Sequence, residues 1–196
     1  MASQFPELVE TQRLVLRRYL PHDAGALLAL VDANRNLLRR EFAQLASLAS
    51  TLESQSFIAE KSDQWNAART FCFGICHKST GELIGQLQVK NVAWEIPAAE
   101  LGYFIGTAWH RLGYARESVQ EILRVAFQQL SFERIFVRIL PGNRESFALA
   151  GKLGFREEGV QRKAFRCGYG DLHDVQFFAM VRQDWLNMLT KPTSTG

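Results

Sequence analysis

With 196 residues, 47% of them hydrophobic and 22% charged, the chain is long enough to bury a sizeable core and has none of the compositional marks of a disordered or fibrous protein. A net charge of +3 without any dense Lys/Arg run suits an anionic ligand and excludes the usual nucleic-acid signature. Cys72, Cys76 and Cys167, an odd count behind a leader-free Met1 to Glu7, predict reduced thiols in a cytoplasmic protein, and no run reaches the roughly 20 apolar residues of a membrane span.

Leu14 and Leu16 alternate as a first strand reaching towards Leu20. Pro21-His22-Asp23 starts a helix whose apolar side is Leu27, Leu28, Leu30 and Val31. Residues 34–50 read equally as helix or loop. Thr51 is expected to cap a helix running to Ala68, with Leu52, Phe57, Ile58 and Trp65 inward. Phe71, Phe73 and Ile75 alternate as a strand, Ser79 to Glu82 is a turn, and Leu83–Val92 and Ala99–Ile105 are strands. From Tyr114 to Leu130 the residues Val119, Ile122, Leu123, Ala126 and Phe127 recur at helical spacing. A strand at Ile135, Val137 and Ile139 precedes a helix from Asn143 to Gly154. Two closing strands, Phe155–Val160 and Val175–Val181, flank the turn Cys167 to Asp171. The order predicts an α/β (α+β) fold: one mixed sheet with helices on both faces, one domain over residues 1–190, and a flexible tail at 191–196.

The richest stretch in chemistry is His110-Arg111-Leu112-Gly113-Tyr114-Ala115-Arg116, between a strand and an amphipathic helix. Unpaired N–H groups and the helix dipole make such an N-terminus an anion site. Gly113 can take φ > 0 and admits a ligand close to the backbone. Arg111 and Arg116 add full charges, so the natural guest is a phosphate or pyrophosphate.

The loop resembles the Gln/Arg-x-x-Gly-x-Gly/Ala segment with which GNAT N-acetyltransferases hold the pyrophosphate of acetyl-CoA, with His110 in the first position. Four further stretches are similar to that family in the same order: Thr11 to Arg17, Glu100 to Ile105, Asn143 to Ser146, and Lys152-Leu153-Gly154-Phe155-Arg156-Glu157-Glu158-Gly159. The style is that of the Rim-type branch, which acetylates ribosomal-protein N-termini. The resemblance implies a mostly antiparallel twisted sheet splayed between its fourth and fifth strands. It implies acetyl-CoA as co-substrate and no metal, with a primary amine attacking the thioester directly. The partners expected are acetyl-CoA and an amine acceptor, foremost a ribosomal-protein N-terminus; nucleic acid and membrane are not expected, and both a monomer and a homodimer stay open.

The same resemblance assigns roles by residue. Backbone groups of Leu112 to Ala115 would hold phosphate oxygens, and Tyr103, Phe104 and Ile105 would offer their backbone to the pantetheine arm by strand addition. Asn143 would line the cofactor site beside Ser146, though as a good helix N-cap it also has a structural explanation of its own. Ser146 would stand near the CoA sulfur and protonate the leaving thiolate. Glu100, a carboxylate among apolar strand residues, needs either a partner or a task, and the task would be to accept the amine proton through a water or to hold the substrate's ammonium; a strand-end carboxylate open to solvent is the plain alternative. The Rim-type branch carries a glutamate after its LGF-x-x-EG segment; at that place this chain has Phe165, which cannot take a proton. Glu100, His173 or Asp174 would then substitute, or the amine would arrive deprotonated. Cys72-x-x-x-Cys76-His77 is a poor metal motif, because a strand puts both thiols on one face as small core residues. A small-amine acetyltransferase and a silent acyl-CoA-binding module are the alternative readings.

Overall fold

The computed structural model describes residues 4–190, so the tail expected at 191–196 lies outside the described residues. Its frame is an eight-stranded sheet in the order β1-β2-β3-β4-β5-β6-β8-β7. The strands are β1 (Leu8–Glu10), β2 (Leu14–Arg18), β3 (Phe71–His77), β4 (Leu83–Ala93), β5 (Ala98–Ile105), β6 (Arg134–Ile139), β7 (Arg156–Arg166) and β8 (Leu172–Val181). Every neighbouring pair is antiparallel except β5 and β6. That parallel pairing is confined to Ala98–Glu100 against Arg134–Phe136, beyond which the two strands part. The splay expected between the fourth and fifth predicted strands falls at this junction, one number later because the short β1 was not predicted.

The helices are α1 (Ala24–Glu41), α2 (Ala43–Ala46), α3 (Thr51–Asn66), α4 (Tyr114–Arg124), α5 (Arg144–Lys152) and α6 (Arg182–Thr190). Period-2 alternation in β3 divides the core between the two faces of the sheet. Phe71, Phe73 and Ile75 pack with Val119, Ile122 and Leu123 of α4. Cys72 and Cys76 pack with Leu27, Leu30 and Val31 of α1 and Phe57 and Ile58 of α3. Both faces of β3 are thus covered, as a central strand under helices requires.

Several boundaries differ from expectation. Ser50, not Thr51, caps α3, its hydroxyl accepting from the Glu53 N–H. Leu52 points outward, 71% exposed, because its place in the first turn lies off the Phe57–Ile58–Trp65 stripe. The helix from Tyr114 is α-helical only to Arg124; Val125–Gln129 forms a π turn, with the Leu130 N–H bonded to the Val125 carbonyl. α6 was not predicted; its buried Trp185 stacks on Phe127 at 5.8 Å. The residues read as helix or loop continue α1 to Glu41 and then form α2. β7 is the outer strand beyond β8, and its register breaks at Glu157/Gly159 and Gln161/Phe165.

Candidate active site

Where β5 and β6 part, a cavity of about 570 Å³ opens between the start of α4, β5, the start of α5 and the C-terminal end of α1. At one end lies the glycine loop. Gly113 adopts φ 84° and is the N-cap of α4, with no side chain capping the helix. The Glu117 N–H is the first to reach back, to the Gly113 carbonyl, so the preceding amides of the turn carry the free N–H groups of a helix N-terminus. Arg111 also has positive φ, 61°. Its side chain is 89% exposed, while His110, Arg111, Gly113, Tyr114, Ala115 and Arg116 all border the cavity. Leu112 does not; its carbonyl turns away to accept from Arg13 Nη1 at 2.9 Å.

Arg13 is a loop-holding residue that the sequence did not single out. Its Nε donates to Glu117 Oε2 at 2.7 Å, and its guanidinium lies 4.4 Å over the Tyr114 ring. Burial disfavours the Glu117 carboxylate, but hydrogen bonds from Thr11 and Arg13 outweigh it and hold the group below the ordinary range. His110 ties the loop to β5, its Nε2 standing 2.9 Å from the Ile105 carbonyl oxygen.

Along the middle of the cavity run Tyr103, Phe104 and Ile105 of β5, on the length of strand that has left β6. At the far end are Asn143 and Ser146. The Asn143 Oδ1 accepts from the Ser146 N–H at 3.0 Å and so caps α5. Its Nδ2 donates to both oxygens of Glu41, at 2.8 and 2.9 Å. Burial pushes the Tyr103 phenol up to about 12, the Ser146 hydroxyl beside it pulling the other way. Burial also raises the Glu41 carboxyl above its ordinary value, against the opposing pull of Asn143 and Arg40.

The structure therefore brings together Tyr103, Phe104, Ile105, His110, Arg111, Gly113, Tyr114, Ala115, Arg116, Asn143 and Ser146. It does not bring Glu100 to them. Glu100 is 4% exposed and its carboxylate is occupied by Arg138 Nε at 2.9 Å, Lys90 Nζ at 3.2 Å and Asn91 Nδ2 at 2.8 Å. Of the two alternatives weighed for a carboxylate in that strand, geometry supplies the partner. His173 and Asp174 also lie away from the cavity; His173 pairs across the hairpin with Phe165, and Asp174 accepts from the Lys163 N–H. Cys72 and Cys76 are buried core thiols, and burial pushes Cys72 up to about 12. The β7–β8 turn gathers Cys167, Asp171 and His173, their donor atoms within 4.8 Å of one another, a juxtaposition that spacing alone does not signal; none of the three borders the cavity.

Leu37, Glu41 and Phe42 are cavity residues that sequence reading missed. The available clue was Leu37-Leu38, which continues the helical rhythm of Leu27, Leu30 and Val31 past residue 34.

A sheet that parts at one junction thus opens a single cleft from a helix N-terminus, suited to an anion, to a half-buried polar cluster. Comparison supplies the class. Residues 13–156 match the acetyltransferase (GNAT) domain family. The uncharacterised N-acetyltransferase YoaA of Bacillus subtilis (strain 168) is 30% identical over 91% of this chain and 98% of its own length. The [ribosomal protein uS5]-alanine N-acetyltransferase of Escherichia coli (strain K12) is 28% identical over 93% of this chain and 95% of its own. Among solved structures, RimL, a ribosomal L7/L12 α-N-protein acetyltransferase in complex with coenzyme A, superposes with a TM-score of 0.83 at 22% identity, covering 89% of this chain and 98% of that one. The chain belongs to the GNAT acetyltransferases, and it is an N-acetyltransferase.

Proposed function

We propose that the protein is a single catalytic domain over residues 1–190 that transfers the acetyl group of acetyl-CoA to the N-terminal amine of a ribosomal protein in the cytoplasm. The observation that carries this reading is the continuity of one cavity from the α4 N-terminus to the Asn143–Ser146 turn. The pyrophosphate sits on the loop His110 to Arg116, where free N–H groups and the helix dipole favour an anion. The pantetheine arm adds as a strand to the open length of β5 at Tyr103 to Ile105. Backbone N–H groups there stabilise the oxyanion. Ser146 donates to the departing thiolate, and no metal takes part. Glu100 is given no part in proton transfer, since three donors already occupy its carboxylate. The relatives that act on ribosomal proteins support the choice of acceptor.

The test is release of CoA thiol from acetyl-CoA with peptides that begin with Ala or Ser, set against spermidine as a small amine. Turnover favouring the peptides supports the reading. Preference for spermidine moves the protein to small-amine acetylation, and tight acetyl-CoA binding without turnover makes it a silent acyl-CoA-binding module.

A further inference from the structure

Phe165, at the place where the family resemblance leads one to expect a carboxylate, does not border the cavity. A different carboxylate does. Glu41 ends α1 and projects into the transfer end of the cleft, half-buried, with Tyr103 of β5 and Asn143 and Ser146 of α5. Among the described residues no cation stands within ion-pair distance of it. Arg40, its neighbour, spends Nη2 on the Pro141 carbonyl at 2.6 Å. Glu145, the nearest comparable group on α5, is matched by Arg111 and His110. The hydrogen-bond donor Glu41 has is the neutral amide of Asn143, with Arg40 acting on it only at longer range. A carboxylate drawn out of water needs compensation, and one uncharged donor leaves most of its lone pairs open.

Resting on the reading of this cavity as the acetyl-transfer site, we propose that Glu41 receives the ammonium group of the acceptor and takes its proton. Asn143 fixes the geometry. Its Oδ1 holds the first turn of α5, and with it Ser146, while its Nδ2 holds Glu41. The amine and the sulfur are thereby placed on either side of one side chain. One ammonium proton passes to a Glu41 oxygen. The freed lone pair forms the N–C bond to the thioester carbonyl carbon, and the tetrahedral adduct expels sulfur. Ser146 gives its proton to the thiolate and regains one from the adduct nitrogen, and Glu41 returns its proton to water. The products are the acetamide, the CoA thiol and one proton, so the step balances.

A base must be ionised in the complex, and burial holds Glu41 above the ordinary glutamate range. Arg40 adjoins it on its own helix, and the other charged or titratable groups that line the same cavity are Tyr103 on β5, Arg144, Glu145 and Lys152 on α5, His110 and Arg111 on the loop, and Arg116 on α4. The rising limb of kcat against pH should therefore report a carboxyl titrating higher than a free glutamate.

Glu41→Gln keeps the shape and one acceptor oxygen for Asn143. Acetyl-CoA affinity by calorimetry should be unchanged, since the loop at the other end binds the phosphates. The kcat/KM for an Ala- or Ser-initiated peptide should fall at least about 100-fold, the lower end of general-base losses, and the acidic limb of kcat should vanish. Glu41→Asp should recover part of the rate and restore the limb. Wild-type kinetics in Glu41→Gln, or a rate loss with the limb intact, overturns the role of Glu41 and leaves the function standing. A wild-type protein that binds acetyl-CoA but acetylates neither peptide nor spermidine overturns both.

Discussion

The two ends of the cavity are built on different plans. The phosphate end comes from one run of residues, His110 to Arg116, braced from behind by Arg13 and Glu117. The transfer end is assembled from three segments far apart in sequence: the last turn of α1, the C-terminal part of β5 and the first turn of α5. The first end relies on backbone N–H groups that any residue supplies, given a glycine and a helix start. The second relies on side chains, Glu41, Tyr103, Asn143 and Ser146, whose meaning depends on being brought together. On the reading proposed above, affinity for the donor would be lodged in local structure, and chemistry in tertiary structure.

Substitutions that strike one end should leave the other's observable alone. Ser146→Ala removes a hydrogen bond to a developing thiolate, worth about 1.5–3 kcal/mol, so kcat and kcat/KM should fall together by roughly 10- to 150-fold with acetyl-CoA affinity intact. Steady-state kinetics beside calorimetry checks this; an unchanged kcat would place Ser146 outside the chemistry. Gly113→Val should act oppositely. At φ 84° a β-branched residue is strained, and its Cβ would stand 3.3 Å from Arg13 Nη2. CoA affinity should drop at least about tenfold, near 1.4 kcal/mol, in a folded variant. Undiminished binding would unseat the loop as the phosphate site.

Glu100→Gln lies outside both ends. It should leave kcat close to wild type and lower the melting temperature by about 2–8 °C, in keeping with a loss of roughly 1–2 kcal/mol from an ion network whose cations are part-exposed. A collapse of kcat at unchanged stability would return Glu100 to the active site. The smallest expected effect is that of salt: the CoA dissociation constant should rise a few-fold from about 0.1 to 1 M, as screening shortens from roughly 10 to 3 Å around exposed Arg111 and Arg116. A flat response would leave phosphate binding to the backbone amides alone.

The same contrast explains what the sequence could disclose. The loop, the α4 stripe and the Asn143 cap are local patterns, and each was found within a residue or two. Pairs such as Asn143 with Glu41, 102 positions apart, carry no local mark. Glu100 misled for the same reason: a carboxylate in an apolar strand has either a task or a partner, and Arg138, 38 residues on, is visible only once β6 lies beside β5. Residues 34–50 resisted assignment because the α1 stripe is interrupted at Asn34, which is buried yet polar and uses its side chain on the Leu30 carbonyl and the Thr107 N–H. The π turn ending α4 was equally hidden, since Ala126 and Phe127 keep an apolar rhythm through it.

The outer strand β7 has a consequence for the protein's behaviour in a crowded cell. Eleven residues long and exposed along nearly its whole length, it ends the sheet with a row of main-chain donors and acceptors, an invitation to self-association. The two register breaks, the φ of 136° at Gly159 and of 52° at Lys163, and the charges of Arg156, Glu157, Glu158, Arg162 and Lys163 spoil that template. An edge kinked twice and studded with both signs of charge resists zipping onto an identical edge, so this end of the sheet is guarded by its own sequence rather than by a covering helix.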